Sequence, residues 1–230
     1  MNDLETKFYN AFIVKDRWIL YLKGLGVTIE IALAAGIIGI IIGCIVALMK
    51  LSEPKSGRKH TILWYIATVY VDVIRGTPSV LQLLIMWFIV FSSSKNGLLV
   101  ASLSFGINSG AYVSEIIRAG ILAVDKGQME AGRSLGLTKA MTMKEIILPQ
   151  AFKNVLPPIG NEFIMLIKET AIVGYVSLSD LTRTASQISS RTYEAFMPLI
   201  GAAVIYFIII KILTLLLEAL ERRLRKSDNR

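Results

Sequence analysis

Apolar residues run through this chain in long blocks and not in alternation. Leu25 to Met49 carries one ionisable residue, Glu30; Leu98 to Ile117 carries Glu115 alone; Pro198 to Leu217 carries Lys211 alone. Each block reaches about 20 residues, which at about 1.5 Å per residue crosses a hydrocarbon layer about 30 Å thick. Two more stretches are apolar but interrupted: Thr61 to Phe91 holds Asp72, Arg75, Gly76 and Pro78, and Leu148 to Val176 holds Pro157, Pro158, Glu162 and Lys168. As a straight helix the first would be about 46 Å long, too long for one perpendicular span. A bend is therefore expected at Arg75-Gly76-Thr77-Pro78, with Pro78 near the start of a new helical segment, where its missing N–H costs nothing. The pattern predicts an all-α integral membrane protein, one domain over residues 1–230, with membrane helices at about 18–49, 61–91, 98–119, 148–176 and 198–221. Residues 1–17 are not expected to be a signal peptide, because Asp3 and Glu5 stand where a basic segment is needed. Phe8, Phe12 and Ile13 give them a short apolar face, read as a helix on the outer surface.

Composition agrees with this pattern, and charge orients it. The apolar share is 54% before the 17 glycines are added, against roughly 45–50% with glycine in soluble domains. Disordered and collagenous chains are excluded. With Lys+Arg 25 against Asp+Glu 17, the net charge is +8, but the surplus is spread between apolar blocks and not gathered on one face, so no nucleic-acid partner is expected. Lys50, Lys55, Arg58 and Lys59 lie in one interval; Arg118, Lys126, Arg133, Lys139 and Lys144 in another; Arg222, Arg223, Arg225, Lys226 and Arg230 in the tail. The opposite side holds half as many: Lys7, Lys15, Arg17, Lys23, Lys95, Arg183 and Arg191. Positive residues collect on the cytoplasmic side, so the N-terminus is expected outside. Cys44, the single cysteine, forms no internal disulfide, and His60, the single histidine, has no companions for a metal site. Gly39 and Gly43 make a small-xxx-small pair in the first span, suited to close helix packing, within this subunit in preference to a dimer seam.

The polar interval between the third and fourth spans, residues 120–147, is longer than a connection needs. It reads as two short helices forming a ledge: Gln128 to Leu135, closed by Gly136, then a second from the N-cap Thr138. Within it Glu130-Ala131-Gly132, three residues, Gly136, nine residues and Ile146-Ile147-Leu148-Pro149 resemble the EAA-x3-G-x9-I-x-L-P signature of the membrane subunits of ATP-binding-cassette importers. Only Gly132 departs from it, by one methyl. Arg75-Gly76-Thr77-Pro78 with Gln82, Ala111-Tyr112 with Glu115, and Lys126-Gly127-Gln128 are similar to the polar-amino-acid branch (histidine, glutamine, arginine and cystine types) of that family.

The resemblance implies a type I importer fold and a permease subunit that forms the translocation path. It also implies a second permease subunit, identical or homologous, a pair of ATPase subunits inside, a solute-binding protein outside, and an amino-acid substrate. It assigns docking on the ATPase to Glu130, Ala131, Gly132 and Gly136. In physical terms, glycine at 136 allows positive φ, small residues allow close approach, and Glu130 in the first turn suits the helix N-terminus. No G-x-x-x-x-G-K-[ST] loop occurs, so the chain is expected to be no enzyme. It should hold no cofactor, with ATP bound by the partner.

Ionisable residues inside spans need partners or a water-filled cavity, because each costs roughly 2.5–3.5 kcal/mol at the bilayer centre. Glu162 and Asn161 follow the prolines and either face the translocation path or make a structural hydrogen bond. Lys168 and Glu169 either receive a zwitterion, pair with each other or snorkel to the interface. Gln82 and Ser109 are polar candidates for the path. Glu115 with Arg118, and Asp72 with Arg75, have the spacing of local ion pairs. The interval 177–197 reads as an outer loop for the binding protein or as an ordinary solvated loop. A passive channel or secondary carrier, an intramembrane enzyme and a non-transporting scaffold for an ATPase are the rival readings. The first has no use for the ledge, and the second lacks a nucleophile–base or metal set.

Overall fold

The computed structural model describes residues 3–51 and 60–228, with side chains as far as Leu224. Lys55, Arg58 and Lys59 of the basic interval lie outside the described residues, as does Arg230. Among the described residues all regular secondary structure is helical. The helices are α1 (Asp3–Phe8), α2 (Arg17–Leu51), α3 (Ile62–Arg75), α4 (Ser79–Ile85), α5 (Gly97–Leu122), α6 (Lys126–Ser134), α7 (Lys139–Thr142), α8 (Leu148–Glu169), α9 (Leu181–Thr192) and α10 (Phe196–Asp228). Between α1 and α2 a π turn over Tyr9–Ile13 leads to Lys15 and Asp16, both at positive φ, which end one helical path and start another.

Length and composition suffice for a membrane crossing in Asp3–Leu51 and Phe196–Leu224. The broken pair Ile62–Arg75 and Ser79–Val90 adds a third if counted as one span. With 26 and 22 residues, α5 and α8 are long enough but more polar. In α5 the polar side chains Ser102, Ser104, Asn108, Ser109 and Ser114 are all buried. The break between α3 and α4 is a sharp bend. Gly76 closes α3 with its N–H on the Asp72 carbonyl, and Pro78, extended at φ −63° and ψ 135°, precedes the first residue of α4. Proline there fits the start of a helix, and it biases Thr77 away from continuing α3.

The chain divides into two compact units, and the divisions fall inside helices or at the bend, not at linkers. The first unit comprises residues 1–36, 78–106 and 163–215. Its core joins Ile31, Ala32 and Ala35 of α2 to Leu83, Phe105, Leu166 and Ile167, and to Val173 and Val176 in the 3-10 turn that follows α8. A second cluster packs Tyr21 and Ala202 against Leu181, Ala185 and Ile188 of α9.

This corrects the reading of residues 177–197 as a loop. Leu181, Ala185 and Ile188 repeat at helical spacing and form a buried stripe, and Gly24 of α2 permits the approach. A Cβ at Gly24 would stand 2.6 Å from Thr184 Oγ1 and 2.8 Å from the Asp180 carbonyl oxygen.

The second unit comprises residues 37–77, 107–162 and 216–230. The glycine pair of the first span works inside this subunit. A Cβ on Gly39 would meet Ser109 at 2.9 Å and one on Gly43 would meet Val113 at 2.5 Å, while Gly110 lies as close to Ile42. Backbone-to-backbone approach of α2 and α5 thus depends on three absent methyl groups. Val46, Ala67, Val71 and Ala111 complete this core, and a satellite cluster of Val124, Ile147 and Ala151 secures the root of the ledge.

Candidate functional site

The ledge is built from its caps. The Asp125 carboxylate accepts from the Gly127 N–H at 2.6 Å and starts α6. At the other end the Leu137 N–H reaches the Gly132 carbonyl at 3.1 Å across Gly136, which sits at φ +85°. That six-to-one bond over a left-handed glycine is the Schellman arrangement. Thr138 then caps α7 by accepting from the Met141 N–H at 3.2 Å.

Two details of the expectation change. The helix begins at Lys126, so Glu130 is its fifth residue and stands beyond the first turn. Asp125, not Glu130, serves the helix N-terminus. Gly132 is buried, and a Cβ there would lie 2.5 Å from Thr142 Cγ2 and 2.8 Å from its Oγ1. The methyl that this chain lacks relative to the signature is the space Thr142 occupies. Glu130 and Ala131 are exposed, and so is Leu135, at 81%.

Of the polar residues expected along a path, the structure joins two. Ser109, fully buried on α5, donates to Glu162 Oε1 at 2.8 Å, and Asn161 beside it is exposed. Gln82, half-buried on α4, and Lys168, exposed near the end of α8, belong to the first unit, whereas Ser109, Asn161 and Glu162 belong to the second. The Glu162 carboxylate thus has one hydrogen-bond partner within its own unit.

Ion pairing differs in the same spirit. Arg118 donates to Glu115 at 3.0 Å as its spacing suggests, but Lys50 at the end of α2 reaches the other carboxylate oxygen at 2.6 Å. No local pattern announces that third member, because it arrives from 65 residues away. Arg75 lies 5.2 Å over the Tyr112 ring, a cation–π contact. His60 stacks on Trp64 with centroids 4.0 Å apart.

Sequence reasoning missed Asp180 as a structural centre. It is fully buried, accepts from the Thr182 and Arg183 N–H groups at 2.9 and 3.0 Å, and receives the Tyr206 hydroxyl at 3.4 Å. Burial pushes its carboxyl above the ordinary aspartate range, while these donors pull it back. The available signal was an N-cap residue followed by apolar positions at i+1, i+5 and i+8.

Residues 39–226 match the family described as binding-protein-dependent transport system inner membrane component. Among relatives, the arginine transport system permease protein ArtQ of Bacillus subtilis is 45% identical over 90% of this chain and 93% of its own length. A putative glutamine transport system permease protein GlnP of Rickettsia typhi is 38% identical over 95% and 98%. The L-cystine transport system permease protein TcyB of Bacillus subtilis is 39% identical over 90% and 87%. A crystal structure of an amino acid ABC transporter with histidines superposes with a TM-score of 0.81 at 45% identity, covering 89% of this chain and 94% of that one. The inward-facing MetNI methionine transporter, at 19% identity and a TM-score of 0.77 over 90% and 97%, shares the fold. The buried helices, the capped ledge and these matches agree: the chain belongs to the binding-protein-dependent inner membrane component family, as a permease subunit of ATP-binding-cassette amino-acid importers.

Proposed function

We propose that this chain works by alternating access and that the ledge at residues 126–142 is its lever. The observation that carries the reading is the geometry of Leu135 and Gly136. An apolar side chain at 81% exposure stands beside a left-handed reversal on a doubly capped helix pair. A rigid, exposed, apolar-tipped element suits docking in a groove of an ATPase subunit, with Glu130, Ala131, Gly132 and Gly136 setting its shape. ATP binding by the partner draws the ledge inward and rocks the spans, and hydrolysis resets them.

The partners in this reading are two ATPase subunits, a second permease subunit of the same or a homologous chain, and an extracytoplasmic solute-binding protein. The charge distribution supports an outer N-terminus and an inner C-terminus. ATP is held by the partner, and this chain holds no cofactor. The substrate is an amino acid, and arginine, glutamine and cystine, which appear in the names of relatives, set the range to assay. Glu162, Asn161 and Ser109, with Gln82 and Lys168, are the polar groups assigned to the path. Substrate moves the equilibrium only through different affinity for the two states.

The test is Gly136→Asp in vesicles holding the whole complex. Uptake should fall at least tenfold while the ATPase subunits still turn over. Undiminished uptake would instead support a passive channel or carrier. For the path, Glu162→Gln should change substrate-stimulated ATP turnover; an unchanged value removes Glu162 from the path.

A further inference from the structure

In the second unit the inner part of α5 is the element to which other helices are fastened. α2 approaches so closely at Gly43 that a Cβ there would meet Val113 at 2.5 Å. α3 places the Tyr70 hydroxyl on the Ile107 carbonyl at 2.5 Å and Arg75 over the Tyr112 ring. On α8, Val155 packs so tightly against Gly120 that a Cβ would collide with it, and the Asn154 side-chain amide donates to the Gly120 carbonyl at 3.4 Å.

The attachment at Glu115 differs in kind from the glycine contacts. Its Oε1 accepts from Lys50 Nζ at 2.6 Å, and its Oε2 accepts from Arg118 at 3.0 Å. Lys50 stands in the last turn of α2, beside its end at Leu51, whereas Arg118 belongs to α5 itself. The glycine contacts set how near the two helices lie. The charge-assisted bond, between side chains only 12% and 20% exposed, fixes where the end of α2 sits along α5.

That bond lies in line with the ledge. Glu115 is two turns before the end of α5 at Leu122, and α6 starts at Lys126. Ile121, Val124, Met129, Ile147 and Ala151 pack as one cluster across the junction. A displacement of the ledge is therefore delivered along α5 to Glu115. α2 is not continuous with the ledge and receives the displacement through side chains. It is also 35 residues long and runs on into the first unit.

We propose that Glu115 is a positioning residue for the coupling of ATP turnover to uptake: through Lys50 it ties the inner end of α2 to the helix that continues into the ledge. The proposal rests on the lever reading of the ledge. Arg118 holds the second carboxylate oxygen, which keeps the first one aimed at Lys50.

The test measures substrate taken up per ATP hydrolysed, in vesicles holding the whole complex, with labelled L-arginine, L-glutamine and L-cystine and the binding protein supplied outside. Lys50→Met severs the tie and leaves Glu115 paired with Arg118, so no carboxylate is orphaned. Glu115→Gln severs it and leaves two cations facing each other. Each should lower uptake per ATP at least fivefold, with ATP turnover close to wild type and the subunits still co-eluting. A role in stability alone would lower the unfolding midpoint and leave that ratio where it was.

Rescue completes the test. In a Cys44→Ser chain, Lys50→Cys with Glu115→Cys should show the same low ratio. A short bis-methanethiosulfonate bridge between the two thiols should restore it to that of the Cys44→Ser chain treated alike, and reduction should abolish the gain. An unchanged ratio in Lys50→Met, or no recovery on bridging, overturns the proposal. The two readings fail differently. Retained uptake in Gly136→Asp strikes the lever, whereas uncoupling in Gly136→Asp beside full coupling in Lys50→Met strikes the tie alone.

Discussion

The ledge, residues 126–142, and α9, residues 181–192, are both polar intervals between long apolar helices, yet they are used in opposite ways. In the ledge Glu130, Ala131 and Leu135 are exposed, and burial is confined to Gly132 and Thr142, where its two helices touch. In α9 Leu181, Thr184, Ala185 and Ile188 are buried, and Asp180 before them is sealed among hydroxyl and backbone donors. Average polarity does not separate the two. What separates them is whether the apolar residues share a stripe. Those of α9 fall on one face and pack into the core, while Leu135 stands alone beside a glycine reversal and points away from it.

The comparison breaks most visibly through Leu135. Leu135→Asp should cost at least tenfold in uptake by reconstituted vesicles while leaving thermal unfolding of the purified chain unchanged. A matched loss of stability would mean that this residue is structural after all. Gly132→Ala should strain the ledge from within. The added methyl meets Thr142 and should cost about 1–3 kcal/mol by overpacking. Thr142→Ala in the same chain should recover most of that loss, with a coupling energy read from the double-mutant cycle.

On the α9 side, Asp180→Ala removes the cap and an acceptor for Tyr206, and should destabilise the chain by about 2 kcal/mol in detergent unfolding. Asp180→Asn should cost less than alanine, because its amide oxygen still caps, but its Nδ2 cannot accept from the Thr182 N–H and the Tyr206 hydroxyl as Oδ2 does. Burial raises the folded carboxyl above its unfolded value. Its favourable contribution is therefore complete below the unfolded range and lost as pH rises through the raised value. The asparagine variant, which does not titrate, should lack that slope in stability against pH. A steeper slope would place the titration elsewhere.

Much of this was legible in the residue order because it depends on local chemistry. The break at Gly76 to Pro78 follows from proline geometry, and the left-handed turn at Gly136 from the need for a residue without Cβ. Thr138 caps α7 as its side chain suggests, and Arg118 pairs with Glu115 at three residues' distance. Other features were not legible, because they depend on who arrives from far away. Lys50 joins Glu115, Tyr206 joins Asp180, and Arg75 covers Tyr112 where Asp72 was the neighbour expected from spacing. Ser109 and Glu162 are each polar residues in apolar helices, but only the fold turns one toward the other. The helix over residues 181–192 was obscured by its serines and threonines, which have modest helix propensity. Its buried stripe is a stronger signal than that composition.

The residue order by itself determined that the chain is helical, that it is apolar enough to enter a bilayer, and that it carries the signature of a permease subunit. It could do so because block length, charge placement and turn chemistry act over a few residues at a time. Tertiary structure alone decided which polar side chains are anchored and which stand exposed. It placed Thr142 in the space of a methyl at Gly132 and closed Ser109 onto Glu162. Those outcomes turn on distances of a few ångströms between residues far apart in the chain, and only packing sets such distances.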